Sequence, residues 1–512
     1  MILPSLQEIR AEECVRSLAE FSEVFWPIVE PVIPLEWNWH LDAKCDHLEA
    51  VTRYVINDAD DEGERIRQLI INEPPGYAKS IFVAVLWPAW EWTFLPQMRT
   101  LFASYSKELA LRDSMRRKDV IESPLYREMF RPDWEIRPDQ DTKANFKNTS
   151  GGFMQSISVG STSTGLRGDK VVADDLISVQ DAHSQAARDQ ANRFWSITMP
   201  TRVNDPRTGA FVLIQQRVHE EDPTGESLKQ GGWVHLNLPS EYDETNPCQT
   251  PIFEDPRTEP GELLFQQMFD REYLNSLKVK LGSADYSAQH QQNPTPSGGL
   301  IFKRHWWRYW HPRGMSFPPV KVKLSETETI EIPSVELPEN IEEVLQSWDC
   351  TFKKKTDSDL VAGGVWGRTG PNAYLLDRVN ERASFTETLT LIRGKVDKWP
   401  RTGAIYVEDK ANGPAVIDTL NQEIPGLIPV EPMGSKEARA YSVTPRIESG
   451  NVFVPHPALY GWVDDYLTQH DGFPKASKDD EVDQTTQALI KMGARGWAMS
   501  DDRLAQEFWN RR

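Results

Sequence analysis

The chain has 512 residues, 39% hydrophobic and 26% charged, with 18 Trp and a formal charge of −20. Such a length exceeds one ordinary hydrophobic core and implies several domains, and the composition excludes a disordered or collagen-like chain. No apolar run approaches the roughly 20 residues of a membrane span. The start, Met1-Ile2-Leu3-Pro4, lacks the basic residues of a signal peptide, so a cytosolic protein with no membrane role is expected. The acidic balance excludes a protein that coats DNA over its whole surface, because that needs Lys and Arg against phosphates; any DNA contact is local. Cys14, Cys45, Cys248 and Cys350 lack paired spacing, which argues against a zinc site or a disulfide framework.

Residues 67–72 form an apolar run, predicted as a strand, that leads into Glu73-Pro74-Pro75-Gly76-Tyr77-Ala78-Lys79-Ser80 and a helix from 79 to about 92. A loop between strand and helix offers backbone N–H groups to phosphates, with Lys79 in reach of the β and γ phosphates of ATP and Ser80 as a Mg²⁺ ligand. Glu73 and Ala78 stand where glycines are usual, and a plain helix start carrying a lysine fits this segment alone. A strand at 99–105 and a charged helix at 107–121 follow.

Gly165-Leu166-Arg167-Gly168 precedes the apolar run 170–173, which ends in Asp174 and Asp175. Two acids at a strand end suit one carboxylate on Mg²⁺ and a second that activates water; a turn explains them too. Arg167 is placed either to reach a neighbouring subunit's γ-phosphate or as a surface turn residue. Gln215, Gln216 and Arg217, at the end of the strand 211–215, are positioned to sense the γ-phosphate. Strands alternating with helices predict a mostly parallel sheet covered on both faces.

A Pro-rich stretch at 311–339 contains two alternating runs, 320–324 and 329–332, predicted as a hairpin at a domain boundary. Beyond it come three strands (344–349, 360–367, 373–379), a helix from 384 to 398, the strand 404–408 and further helices, the order of a ribonuclease H-like fold. Asp349 is an acid within an apolar strand, costly there unless a ligand satisfies it. Glu408 and Asp409 end a strand, so one of the two faces the same side as Asp349; alternation from Ala404 favours Glu408. Asp479, Asp480 and Asp483 open a helix to about 491, where capping alone favours acids; Asp480 is the preferred third ligand. Acids converging from three elements fit two Mg²⁺ or Mn²⁺ ions about 4 Å apart that cut a phosphodiester. Lys353 to Lys355, Lys475 and Lys478 offer phosphate contacts near these acids.

Together these motifs resemble the large terminase subunits of tailed phages, specifically a group whose loop reads Pro-Pro-Gly-x-Ala-Lys-Ser. The resemblance spans nearly the whole chain: Trp37 to His40, Pro74 to Ser80, Gly165 to Asp175, Gln216 to Asp222, Gly261 to Leu264, Ser287 to Pro294, Asp349, Glu408 to Gly413 and Asp479 to Asp483. It implies an N-terminal P-loop ATPase of the additional-strand type and a C-terminal ribonuclease H-like nuclease with a mixed sheet. The implied segments are a helical flank at 1–60, an ATPase core at 61–240, a linker or lid at 241–300 and a nuclease at 301–512. It further implies double-stranded DNA, a portal protein and a small terminase subunit as partners. A ring, usually of five subunits, would dock on the procapsid in the cytoplasm of the infected bacterium, would be absent from the mature virion, and would rest on a chain that is monomeric in solution. Trp37 to His40 would lie near adenine, and Arg167 would act in trans. Two positions depart from the family: Asp175 where Glu is usual, and Lys478 where His is usual. A decayed docking component of the packaging machine, and an ATP-dependent helicase or recombinase with an accessory nuclease, are the alternative readings; both sets of acids are intact, and no second P-loop follows residue 240.

Overall fold

The computed structural model describes residues 5–57, 62–161, 165–294, 301–325, 327–350, 359–409, 413–421, 423–475 and 479–493. These divide into two compact units, the first holding residues 1–278 and 283–297, the second 279–282 and 298–512. No helix among the described residues is long and apolar enough to cross a membrane.

The first unit is built on an eight-stranded sheet. Its order is Ile136–Asp141, Asn145–Asn148, Phe153–Ser158, Arg99–Ser104, Lys170–Asp174, Ala210–Gln215, Gln68–Asn72 and Val234–Asn237. The strands from Phe153–Ser158 onward pair in parallel, and the first two add an antiparallel edge. Every residue of Ala210–Gln215 is buried, as a strand covered on both faces requires. The helix after Lys79 begins with a π-helical turn at Ile81–Leu86 and continues through Trp87–Glu91. Pro88 has no N–H to give the preceding turn, and the Ala84 carbonyl accepts instead from the buried Arg117 guanidinium at 2.9 Å. Arg117 in turn lies 3.5 Å over the Phe102 ring.

The second unit has an eight-stranded mixed sheet in the order Ser334–Glu336, Arg308–His311, Val452–Pro455, Asn372–Ala383, Asp359–Thr369, Glu343–Asp349, Ala404–Glu408, Leu427–Val430. The three central strands pair antiparallel and the flanking ones parallel, the mixed arrangement anticipated for a ribonuclease H-like fold. The hairpin pairs Val320–Lys323 with Thr329–Ile332 as a separate two-stranded ribbon. Trp306 and Trp307 are core residues, with Trp307 packed edge-on against His470 and Tyr466. The four cysteines are buried free thiols.

Candidate nucleotide and metal sites

The strand Gln68–Asn72 runs into the loop at its C-terminal end, as a phosphate loop must. Gly76 takes φ +89°, and a Cβ there would meet the Phe269 ring at 2.8 Å, so only glycine fits. Ala78 is also left-handed, at φ 61°, which explains why glycine is the usual residue and gives alanine a local strain of about 1 kcal/mol. Glu73, the other departure, is wholly buried and held by Lys44 Nζ at 3.0 and 2.8 Å, while the same ammonium donates to the Tyr77 carbonyl at 2.7 Å. A buried ion pair therefore braces the loop from beneath. Burial pushes the Glu73 pKa up and the Lys44 pKa down, each opposed by the other's charge. His40 Nε2 lies 3.7 Å from Glu73, and burial, then the Lys44 charge, lowers the imidazole to about 2, so it is neutral.

Lys79 is 8% exposed. The Ser80 hydroxyl bonds the Asp174 carboxylate, which stands at the end of the strand Lys170–Asp174. Burial first, then Asp175 and Asp113, raises Asp174 to about 7. Its Oδ1 is buried with no hydrogen-bond partner among the described residues, an orphaned oxygen that a divalent cation shared with Ser80 would satisfy. Asp175 adopts φ 46° and is fixed on three sides: its N–H donates to the Ile214 carbonyl (3.0 Å), its carbonyl accepts from Tyr105 N–H (2.8 Å), and its carboxylate accepts from Gln216 N–H.

Arg217 is placed differently from the expectation. Its Nε lies 3.1 and 3.0 Å from the two Asp222 oxygens, both side chains are buried, and its backbone N–H donates to Gln292 Oε1 at 2.8 Å. The guanidinium is committed within its own loop because the fully buried Asp222, which also caps the helix Pro223–Gln230, needs a cation. Gln215, which the sequence groups with Gln216 and Arg217, ends the strand with its Nε2 and Oε1 buried and without hydrogen-bond partners among the described residues. Arg167 is exposed and makes no hydrogen bond among the described residues. A cavity of about 350 Å³ adjoins Gly76, Tyr77 and Ala78, walled by Trp26, Leu35, His40, Phe265 and Met268. Of the Trp37 to His40 segment, His40 lines this cavity, Trp37 faces Phe82, and Trp39 stacks on Phe253.

In the second unit the acids converge. Glu343–Asp349 pairs in parallel with Ala404–Glu408 in a register that sets Trp348 beside Val407, so Asp349 and Glu408 end adjacent strands. Helix 480–493 lies on the same face: Ser347 Oγ donates to the Gln484 carbonyl (2.7 Å), and Gln487 Nε2 donates to Ser347 Oγ (2.9 Å). Gly364 permits this approach, since a Cβ there would come within 2.2 Å of Gln484 Oε1. One turn before Gln487, Asp483 meets the strand acids, and oxygens of Asp349, Glu408 and Asp483 lie within 4.8 Å of one another. The third member is thus Asp483 where the sequence favoured Asp480. The reason is helical phase: Asp480 sits in the first turn outside this group, whereas Asp483 is 4% exposed on the packed face. Asp409 is exposed, its N–H donating to the Val430 carbonyl, and Asp479 pairs with Lys436 at 3.2 Å. Gly413 follows at van der Waals contact with the Glu408 carbonyl, where a Cβ would lie at 1.8 Å. Three carboxylates offering hard oxygen donors fit Mg²⁺ or Mn²⁺. Lys353 to Lys355 and Lys478 lie outside the described residues.

The fold and candidate sites define the class: a strand-loop-helix segment with Lys79, Ser80 and an acid pair, and a ribonuclease H-like sheet bearing three acids placed so that they could hold a metal ion, in one chain. Residues 346–492 match the family model of the terminase RNaseH-like domain. That match lies within the second unit, and the terminase resemblance read from the motif order stands. Among solved structures, the chain is similar to the large terminase of a thermophilic bacteriophage, at 10% identity and TM-score 0.47, over 87% of this chain and 98% of that one. It is similar to the large terminase ATPase domain of Thermus phage P74-26 at 12% identity and TM-score 0.32, over 48% and 97% of the two chains. The nuclease domain of the bacteriophage SPP1 large terminase, with bound Mn, is similar at 17% identity and TM-score 0.23, over 30% and 87%. A comparison with curated proteins finds no match.

Proposed function

We propose that this chain is the motor and cutting subunit of a viral DNA-packaging machine, which uses ATP hydrolysis to translocate double-stranded DNA into a procapsid and a metal-dependent endonuclease to cut concatemeric DNA. The convergence of Asp349, Glu408 and Asp483 within the segment that matches the terminase RNaseH-like family carries this reading. In the first unit, Lys79 would neutralise the β and γ phosphates of ATP, Ser80 and Asp174 would hold Mg²⁺, and Asp175, aimed by the Gln216 N–H, would take the proton of the attacking water. Arg167, exposed and uncommitted among the described residues, suits a contact with the γ-phosphate of a neighbouring copy in a ring, with five subunits the expected number. In the second unit the three acids would hold the divalent ions that activate water and stabilise the leaving oxygen. Portal protein and a small terminase subunit are the expected partners, and the host cytoplasm, at the procapsid, is the expected place of action.

The test is cleavage of supercoiled plasmid in Mg²⁺ or Mn²⁺ by the full chain and by Asp349→Ala, alongside ATP hydrolysis by the full chain and by Lys79→Ala. Metal-dependent cutting lost in Asp349→Ala, with hydrolysis lost in Lys79→Ala, supports the reading. A parent that cuts with neither metal, or an Asp349→Ala variant that cuts equally well, overturns the nuclease assignment.

A further inference from the structure

Residues 287–294 close the helix Arg271–Gln289 and dock on two loops of the first unit. The His290 carbonyl accepts from the Ser240 N–H at 2.7 Å. The Gln291 amide grips the Glu241 backbone in both directions, Oε1 accepting from its N–H and Nε2 donating to its carbonyl, each at 3.0 Å. Gln292 points elsewhere. Its Oε1 accepts from the Arg217 N–H at 2.8 Å and its Nε2 donates to the Gln289 carbonyl, so both ends of the amide are held. Gln292 is 3% exposed and takes φ 52°. Glycine or asparagine occupies such a left-handed backbone at lower cost, so the turn itself does not call for glutamine. What calls for it is an acceptor that reaches the buried Arg217 N–H, 75 positions away.

The turn it reaches faces the acid pair of the nucleotide site. The Gln216 N–H, which donates to the Asp175 carboxylate, shares its peptide plane with the Gln215 carbonyl, and the Arg217 N–H lies in the next plane. The Gln215 carbonyl accepts from Asn72 Nδ2 at 2.9 Å, at the end of the strand that leads into the phosphate loop. Asn72 therefore fixes one plane and Gln292 the other, and only φ and ψ of Gln216 separate them. Beyond them the Val218 N–H donates to Asp222 Oδ2 at 3.0 Å, which anchors the far side of the turn.

We propose that Gln292 is a positioning residue for ATP hydrolysis, a role that rests on the ATPase reading above. By holding the Arg217 N–H it keeps the Gln216 N–H on the Asp175 carboxylate, and so aims that carboxylate at the attacking water. Gln292 acts through Gln216 and Asp175, while Lys79 and the phosphate loop hold the nucleotide. Loss of its amide therefore slows turnover and leaves ATP binding in place.

Steady-state ATP hydrolysis by the full chain in Mg²⁺, with binding of a fluorescent ATP analogue and Tm measured alongside, tests this in Gln292→Met and Gln292→Gly. Methionine keeps the length of the side chain without the acceptor; glycine relieves φ 52° and removes the amide. The two variants change stability differently yet lose the same bond. The expected result is a fall in kcat on the order of 10–100-fold in both, with KM and analogue affinity within about threefold of the parent, whatever each Tm does. A kcat that follows Tm and stays near the parent's in the more stable variant, or a KM that rises as kcat falls, overturns the proposal and leaves the ATPase reading intact. A parent that hydrolyses no ATP overturns that reading and the proposal with it. If one variant does not fold, the other gives the same split between kcat and KM.

Discussion

Asp349 and Glu408 stand side by side because their strands run parallel in a register that pairs Trp348 with Val407, so one further step brings both acids to the same sheet end. Asp483 joins them from helix 480–493. Asp483→Asn is therefore expected to reduce metal-dependent plasmid cleavage on the order of 100-fold or more, whereas Asp480→Asn keeps activity within several-fold of the parent. Equal losses in the two variants would return Asp480 to the metal site.

The buried Arg217 to Asp222 pair leads to a stability prediction. Arg217→Ala strands a buried carboxylate, at a cost of about 3–5 kcal/mol to the first unit, visible as a lowered Tm. If the guanidinium instead served the γ-phosphate, kcat for ATP would collapse while Tm held.

Ala78→Gly removes left-handed strain at φ 61°. The substitution should stabilise the first unit by about 1 kcal/mol, raising its Tm by about 2–4 °C in a calorimetric scan. An unchanged or lower Tm would show that the loop does not hold this conformation in solution.

His470 gives the second unit an acid sensitivity. The ring is fully buried, its Nδ1 bonds the Tyr466 carbonyl at 2.9 Å, and burial lowers its pKa to about 4 in spite of that bond. The unfolded imidazole titrates near 6.5, so between pH 6.5 and 4 the unfolded chain takes up a proton the native ring refuses. The contribution is fully present above pH 6.5 and is lost as pH falls, by roughly 3 kcal/mol at pH 4. Denaturant melts of His470→Phe should show a shallower loss of stability over that window; an identical slope in parent and variant would exclude His470 as its source.

Much of both candidate sites is legible because apolar runs ending in polar residues mark strand ends. That signal picks out Lys79, Ser80, Asp174, Asp175, Asp349 and Glu408 as candidates, and the last two do lie beside Asp483. Asp483 was not separable from Asp480 because a helix rotates each residue by a large angle, and the onset of helix 480–493 cannot be read to one residue. Arg217 went astray for a different reason: an arginine after a strand looks available until Asp222, five positions on, is known to be buried with it. The strands Ile136–Asp141 and Asn145–Asn148 carry mostly polar residues, and Val452–Pro455 and Leu427–Val430 are only four residues long, too short for periodicity to speak.

Lys44 and Glu73 are separated by 29 positions yet share one buried bond network beneath the phosphate loop. Neither can be exchanged alone without abandoning its partner's charge in a dry interior. A variant of this sequence that takes glycine at position 73 must shed the lysine in the same step, or pass through an intermediate whose loop has lost its floor. The two codons are in effect inherited as one character, and a chain bearing only half of it should be rare among functional variants recovered from random mutagenesis.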